Sequence, residues 1–179
     1  CEGWSDGVDI MSSTDITVKD CFLRTSDDCV AIYGRRWDYN ADSRNITVSS
    51  CCLWADVAHP TVIGTHGDYE HDGNVLVRNV VYEDIRIEPF QRGKLLDIQV
   101  KRNPDYNPVP GGGIAHIRFK NITYTGCGEV KSCIRGYDAE HIVSDVTIEN
   151  LSIRGKKAES LAEAGIETGP FAKEIRLLS

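Results

Sequence analysis

Polar and apolar positions alternate along most of this chain, in short blocks that recur. Five blocks, DITVKDCFL (15–23), NITVSSCCL (45–53), NVLVRNVVY (74–82), HIRFKNITY (116–124) and DVTIENLSI (145–153), are rich in β-branched residues at every second position. Period two with β-branching marks half-buried strands, and strong helical periodicity is nearly absent before residue 155. Aligned, the blocks share a polar dipeptide: Lys19-Asp20, Ser49-Ser50, Arg78-Asn79, Lys120-Asn121 and Glu149-Asn150. Its second member recurs after 30, 29, 42 and 29 residues.

A small polar residue inside each strand-like block predicts a sharp bend between two short strands of a coil. Stacking such coils buries the inward side chains in one continuous core and places equivalent residues in ladders. The expected fold is therefore all-β, a right-handed parallel β-helix. An antiparallel sandwich would need tight hairpins between blocks; Asp6-Gly7 and Asp72-Gly73 are present, but a spacing near 29 is too long for them.

Two segments interrupt the period, RRWDYNADSR (35–44) and KRNPDYNPVPGGG (101–113), and both are expected to be loops leaving the stack. After Gly155 the composition changes. KKAESLAEAGIE (156–167) is rich in helix formers and suits a short capping helix. Residues 1–155 are thus expected to form the coils and groove, and 156–179 a cap or tail of the same domain.

Charge and cysteine content narrow the function classes. The 179 residues carry a formal net charge of −7, which disfavours a nucleic-acid scaffold, and no apolar run approaches the roughly 20 residues of a membrane-spanning helix. Seven cysteines cannot all pair within one chain, and no CxxC motif suggests zinc. Cys21, Cys51 and Cys52 fall in strand-like segments, where a thiol acts as a small apolar group.

The candidate chemistry lies in RTSDDCVAIYG (24–34), where two aspartates adjoin, and in WSDGVDI (4–10) one coil earlier. Asp6 precedes Asp27 and Asp28 by 21 and 22 residues, so a β-helix brings three carboxylates to one patch at about 5 Å strand spacing. Crowded carboxylates raise the proton affinity of at least one member, which supplies a general acid beside groups able to activate water. Glycosidic hydrolysis needs that pair of functions. A plain polar turn is the competing reading of Asp27-Asp28 taken alone.

SDGVDI, SDDCVAI and AHPTVIG, in that order, resemble the motif series of polygalacturonase-like enzymes of glycoside hydrolase family 28, well over roughly residues 3 to 100. The resemblance implies that Asp27 protonates the leaving oxygen, that Asp6 and Asp28 activate water with inversion, and that His59 stands beside the acid. It also implies a polysaccharide or oligosaccharide substrate, a secreted or periplasmic location, and no cofactor or metal. Two departures stand out. His59 is flanked by Ala58 and Pro60 where the family has glycines, and Asp97 and Gln99 occupy positions where the family places the basic pair that binds a substrate carboxylate. Arg92 and Lys94, or Lys101 and Arg102, are the available substitutes. The dextranase and isopullulanase relatives of the same clan, which act on neutral glucans, fit the aspartates as well.

Trp37, Tyr39 and Trp54 are candidate platforms for sugar rings. THGDYEHD (65–72) is rich in potential ligands but matches no metal-ligand spacing, and His66 is assigned instead to the groove rim. Two other functions remain open at this point: a β-helical polysaccharide lyase, and a non-catalytic carbohydrate-binding or structural solenoid. Because Asp6 stands so near Cys1, the segment is expected to be part of a longer protein whose N-terminal coils stack on it.

Overall fold

The computed structural model describes residues 3–64, 75–105, 108–127 and 130–179, and within them every regular element is a strand. Apart from two small antiparallel pairs, β5 (Arg35–Arg36) with β6 (Tyr39–Asn40) and β15 (Lys156–Lys157) with the end of β14 (Val143–Ile153), successive strands do not pair in hairpins. Each pairs in parallel with its equivalent one coil later, and six short strands form one sheet: β1 (Val8–Met11), β4 (Val30–Tyr33), β9 (Thr61–Ile63), β11 (Asp97–Gln99), β13 (Ser132–Arg135) and β16 (Ile166–Thr168). The other wall is β2 (Thr14–Lys19), β7 (Ser43–Ser49), β10 (Val77–Ile87), β12 (Ile114–Tyr124) and β14 (Val143–Ile153), extended by β3 (Phe22–Thr25) and β8 (Cys52–Ala55). The chain is a parallel β-helix.

Register explains the core. Ile10, Ile32, Ile63, Ile98 and Ile134 stand directly above one another in the first sheet. Opposite them, Val18, Val48, Tyr82, Phe119 and Ile148 form a second inward file, with Tyr82 and Phe119 stacked at 4.9 Å. Each coil exposes its apolar file above and below, so only stacking removes that surface from water.

The bends are sharper than a single polar dipeptide suggests. Each coil holds two residues in the left-handed region, five apart in sequence: Asp15 and Asp20, Asn45 and Ser50, Asn79 and Asp84, His116 and Asn121, Asp145 and Asn150. Aspartate and asparagine tolerate this conformation better than other non-glycine residues. The observed register corrects the third repeat. Val80 faces Ile46 and Glu83 faces Ser49, so the equivalent block is NVVYEDIRI (79–87), five residues later than the alignment on Arg78-Asn79. Asn79 belongs to the first bend and Asp84 to the second. Both classes of bend carry the same small polar residues, which made them interchangeable by pattern alone.

The C-terminal segment also differs from the expected capping helix. Residues 160–165 make one tight turn, with Ala164 N–H donating to Ser160 O and Ile166 N–H to Leu161 O. The chain then returns as β16, on β13, and β17 (Ala172–Leu178), on β14. Helix nucleation is costly in so short a stretch, whereas Ile166, Ile175 and Leu177 gain a ready-made apolar surface. The last segment is a further coil.

Of the two interrupting loops, 35–44 contains a small antiparallel ribbon of β5 (Arg35–Arg36) and β6 (Tyr39–Asn40). The cysteines behave as small apolar groups. Cys51 is buried, Cys21 and Cys52 are half-buried, and all are free thiols.

Candidate active site

The site forms where the chain passes from the second wall into the first sheet. Thr25 ends β3, residues 26–29 turn, and β4 begins at Val30, whose side chain and that of Ile32 are wholly buried. The buried Thr25 hydroxyl donates to the Asp27 carbonyl at 2.6 Å, holding the turn closed. Sequence reasoning missed Thr25; its signal was a polar residue at an inward position just before the aspartates.

The turn defeats simple alternation. Asp28 N–H lies 3.1 Å from Asp6 Oδ1 and 3.0 Å from Asp27 Oδ1, so one donor gathers two carboxylates. Asp6, Asp27 and Asp28 each place a carboxylate oxygen within 4.8 Å of the others. The Asp6 segment is laced to the turn through Gly7 N–H to Asp28 O (2.9 Å), Asp27 N–H to Ser5 O (3.2 Å) and the Ser5 and Ser26 hydroxyls at 2.8 Å.

Burial, reinforced by the charges of Asp28 and then Asp6, pushes the Asp27 carboxyl above the usual carboxylate range; the Asp28 N–H and His59 pull more weakly the other way. A carboxyl displaced upward is suited to keep a proton. A trio of oxygens at this spacing also has the composition of a divalent-cation site, but exposed acidic clusters are common without an ion.

His59 meets Asp28, not Asp27. Its backbone N–H donates to Asp28 Oδ1 at 2.9 Å, and its Nδ1 is 3.0 Å from the same oxygen. Pro60 does not disturb the ladder, because its carbonyl accepts from Val30 N–H and no donor is required of it. Nε2 of His59 points toward Asp97, at 3.8 Å.

Register shows why these residues meet. Asp6 and Asp28 each precede by two residues the facing positions Val8 and Val30, and His59 precedes Thr61, the next partner, by two. Lys94 stands three residues before Asp97, as His59 stands three before Val62, its facing residue. Asp6, Asp28, His59 and Lys94 therefore occupy one position on four consecutive coils, two acids followed by an imidazole and an ammonium.

The predicted binding residues separate into several places. Lys94 Nζ is 3.1 Å from Asp97 Oδ1, and Lys101 Nζ 3.8 Å from Asp97 Oδ2. Arg92 is exposed on the turn at 91–93, and Trp37 and Tyr39 are exposed on the β5–β6 ribbon. Trp54 has one face covered by the Arg24 guanidinium at 4.1 Å, which leaves at most its other face for a sugar. His66, with the rest of THGDYEHD, lies outside the described residues.

With this geometry in place, comparison with known proteins is specific. Residues 3–88 match the family model "Glycosyl hydrolases family 28", an interval that holds Asp6, Asp27, Asp28 and His59. The chain is similar to family 28 across its whole candidate site. A probable endopolygalacturonase D of Emericella nidulans is 30% identical over 122 residues, 68% of this chain and 20% of that protein. A family 28 exopolygalacturonase of Yersinia enterocolitica aligns structurally with a TM-score of 0.41 and 13% identity, over 95% of this chain and 38% of that one. The chain thus spans only a fraction of the length of either of these proteins.

Proposed function

We propose that this chain carries the catalytic floor of an inverting glycoside hydrolase. Asp27 delivers a proton to the glycosidic oxygen, while Asp6 and Asp28 draw the proton from an attacking water. The observation that supports this most is the crowding of three carboxylates within 4.8 Å, with the partly buried Asp27 pushed toward its protonated form. General acid catalysis requires such a group, because an ionised Asp27 has no proton to give. Asp28 is held in place by two nitrogens of His59, which makes His59 a positioning residue for the water-activating side. The printed name of the Emericella nidulans relative, an endopolygalacturonase, supports a galacturonan-type polysaccharide as substrate.

One measurement favours a second reading. Inverting pairs usually stand about 6.5–9.5 Å apart and retaining pairs about 5–5.5 Å, and here the nearest oxygens lie within 4.8 Å. In the retaining reading Asp6 or Asp28 attacks the anomeric carbon directly. Inversion demands that water sit beside the trio, not between its members.

Digestion of a polysaccharide panel, with products identified by mass and the first-formed anomer by NMR, separates the readings. Inversion of configuration supports the first, and retention the second. A product absorbing in the ultraviolet would mean a lyase, and binding without turnover a non-catalytic solenoid. Should Asp27→Asn keep full activity on a substrate that the parent chain cleaves, the acid assignment is wrong.

A further inference from the structure

The column Asp6, Asp28, His59, Lys94 ends in a cation, but that cation is already committed. Asp97 is 1% exposed, and its two oxygens collect Lys94 at 3.1 Å, Lys101 at 3.8 Å and His59 Nε2 at 3.8 Å. Gln99 Nε2 donates to the same carboxylate. A carboxylate this deeply buried depends on its partners, and withdrawing Lys94 leaves it only the Gln99 amide and the contacts to Lys101 and His59 at 3.8 Å. Lys94 and Lys101 are one-third exposed and therefore reach the surface. An anion bound there would have to share the Lys94 charge with Asp97.

Asp97 sits on β11 in register with Val62, and Val62 packs in a small apolar cluster with Ala31 and Tyr33, on the face of the sheet opposite the isoleucine file. His59 links Asp97 to the trio, with Nδ1 at 3.0 Å from Asp28 Oδ1 and Nε2 at 3.8 Å from Asp97 Oδ2. An anionic sugar would meet repulsion from the trio and no disengaged ammonium from this pair.

We infer that Asp97 is a specificity-determining residue: by holding Lys94 and Lys101, it selects a sugar whose carboxyl group is absent or masked as an ester. This rests on the proposed function only for where the sugar sits, against Asp27 and Asp28.

Calorimetric binding of tetragalacturonate and its fully methyl-esterified counterpart tests the inference without requiring turnover, since the probes share a backbone and differ in charge. The parent chain is expected to bind the ester about tenfold tighter. Asp97→Asn, which keeps the shape and removes the charge, is expected to tighten tetragalacturonate binding roughly fivefold, in a way abolished by high salt, and to leave the ester unaffected. Adding Lys94→Gln to that variant should remove the gain. If Asp97→Asn does not fold, Lys94→Gln alone decides: tetragalacturonate affinity within about twofold of the parent supports the clamp, and a larger loss overturns it. Equal binding of both probes by the parent, failure to bind the ester, or a folded Asp97→Asn without gain also overturns it. Discrimination without hydrolysis would sink the proposed function and leave this inference standing.

Discussion

Two corners of the same coil use acidic and amide side chains in opposite ways. At the left-handed bends, most polar side chains are shared with the coil above or below. Asn45 donates to Asp15 at 2.9 Å and Asn79 to Asn45 at 3.1 Å; at the second bend Asn121 donates to Asp84 at 2.7 Å and Asn150 to Asn121 at 2.8 Å. The carboxylates of Asp15 and Asp84 accept these amide N–H groups, and that of Asp145 finds cations. Asp145 has His116 Nδ1 at 2.8 Å and Arg176 at 3.1 Å, and the His116 hydrogen bond, followed by Arg118, holds its carboxyl below the usual range against the opposing effect of burial. At the other corner three carboxylates converge, and the carboxyl of Asp27 is displaced upward. The coil repeat itself does not explain that crowding. A solenoid tolerates the electrostatic strain locally because its stability is spread over many stacked coils.

Substitutions at the two corners should therefore separate activity from stability. The largest effect expected is on turnover: Asp27→Asn should lower kcat by about 10²–10⁴-fold. The same change relieves repulsion, so its melting temperature should equal or slightly exceed that of the parent. A clear fall in stability would mean that Asp27 is a bend residue like the others.

At the ladder corner Asn121→Ala should do the reverse. It should cost about 1–2 kcal/mol in denaturant unfolding, from the left-handed backbone and the lost side-chain bonds, with little change in turnover. Asn121→Gly should recover the backbone share. Equal stability of the alanine and glycine variants would remove the backbone argument.

Smaller shifts sharpen the electrostatic side. Activity that needs protonated Asp27 is lost as pH rises through its raised pKa. Asp6→Asn removes one of the charges that raise it, so the alkaline limb of the kcat profile should move to lower pH. Movement to higher pH would contradict the coupling. The smallest effect concerns Asp145. Its folded-state pKa is depressed, so its contribution to stability is present above the unfolded value and lost as pH falls through the folded one. His116→Ala should therefore weaken the chain at neutral pH and flatten the acid limb of its stability curve. An unchanged acid limb would show that Arg118 and Arg176 suffice.

Much of this was legible in the chain. β-branched alternation at coil spacing showed the solenoid, because burying a period-two apolar file requires a neighbouring file in register. Asp6 at one coil from Asp27 and Asp28 showed the acidic cluster for the same reason. The third repeat was misaligned by five residues because Asn79 and Asp84 satisfy the same local rule, and only pairing with Ile46 and Ser49 distinguishes them. The final coil was mistaken for a helix because helix propensity is a local average, whereas the edge offered by β13 and β14 is a tertiary fact.

The sequence by itself determined the architecture and which three carboxylates cluster, since both follow from spacing along a repeating chain. The tertiary structure alone decided that the Asp27 carboxyl is pushed above the usual range, that His59 contacts Asp28, and that Lys94 pairs with Asp97. Those outcomes depend on burial and on contacts of about 3 Å, between coils for His59 and Asp28 and within one coil for Lys94 and Asp97, and a one-dimensional pattern carries neither.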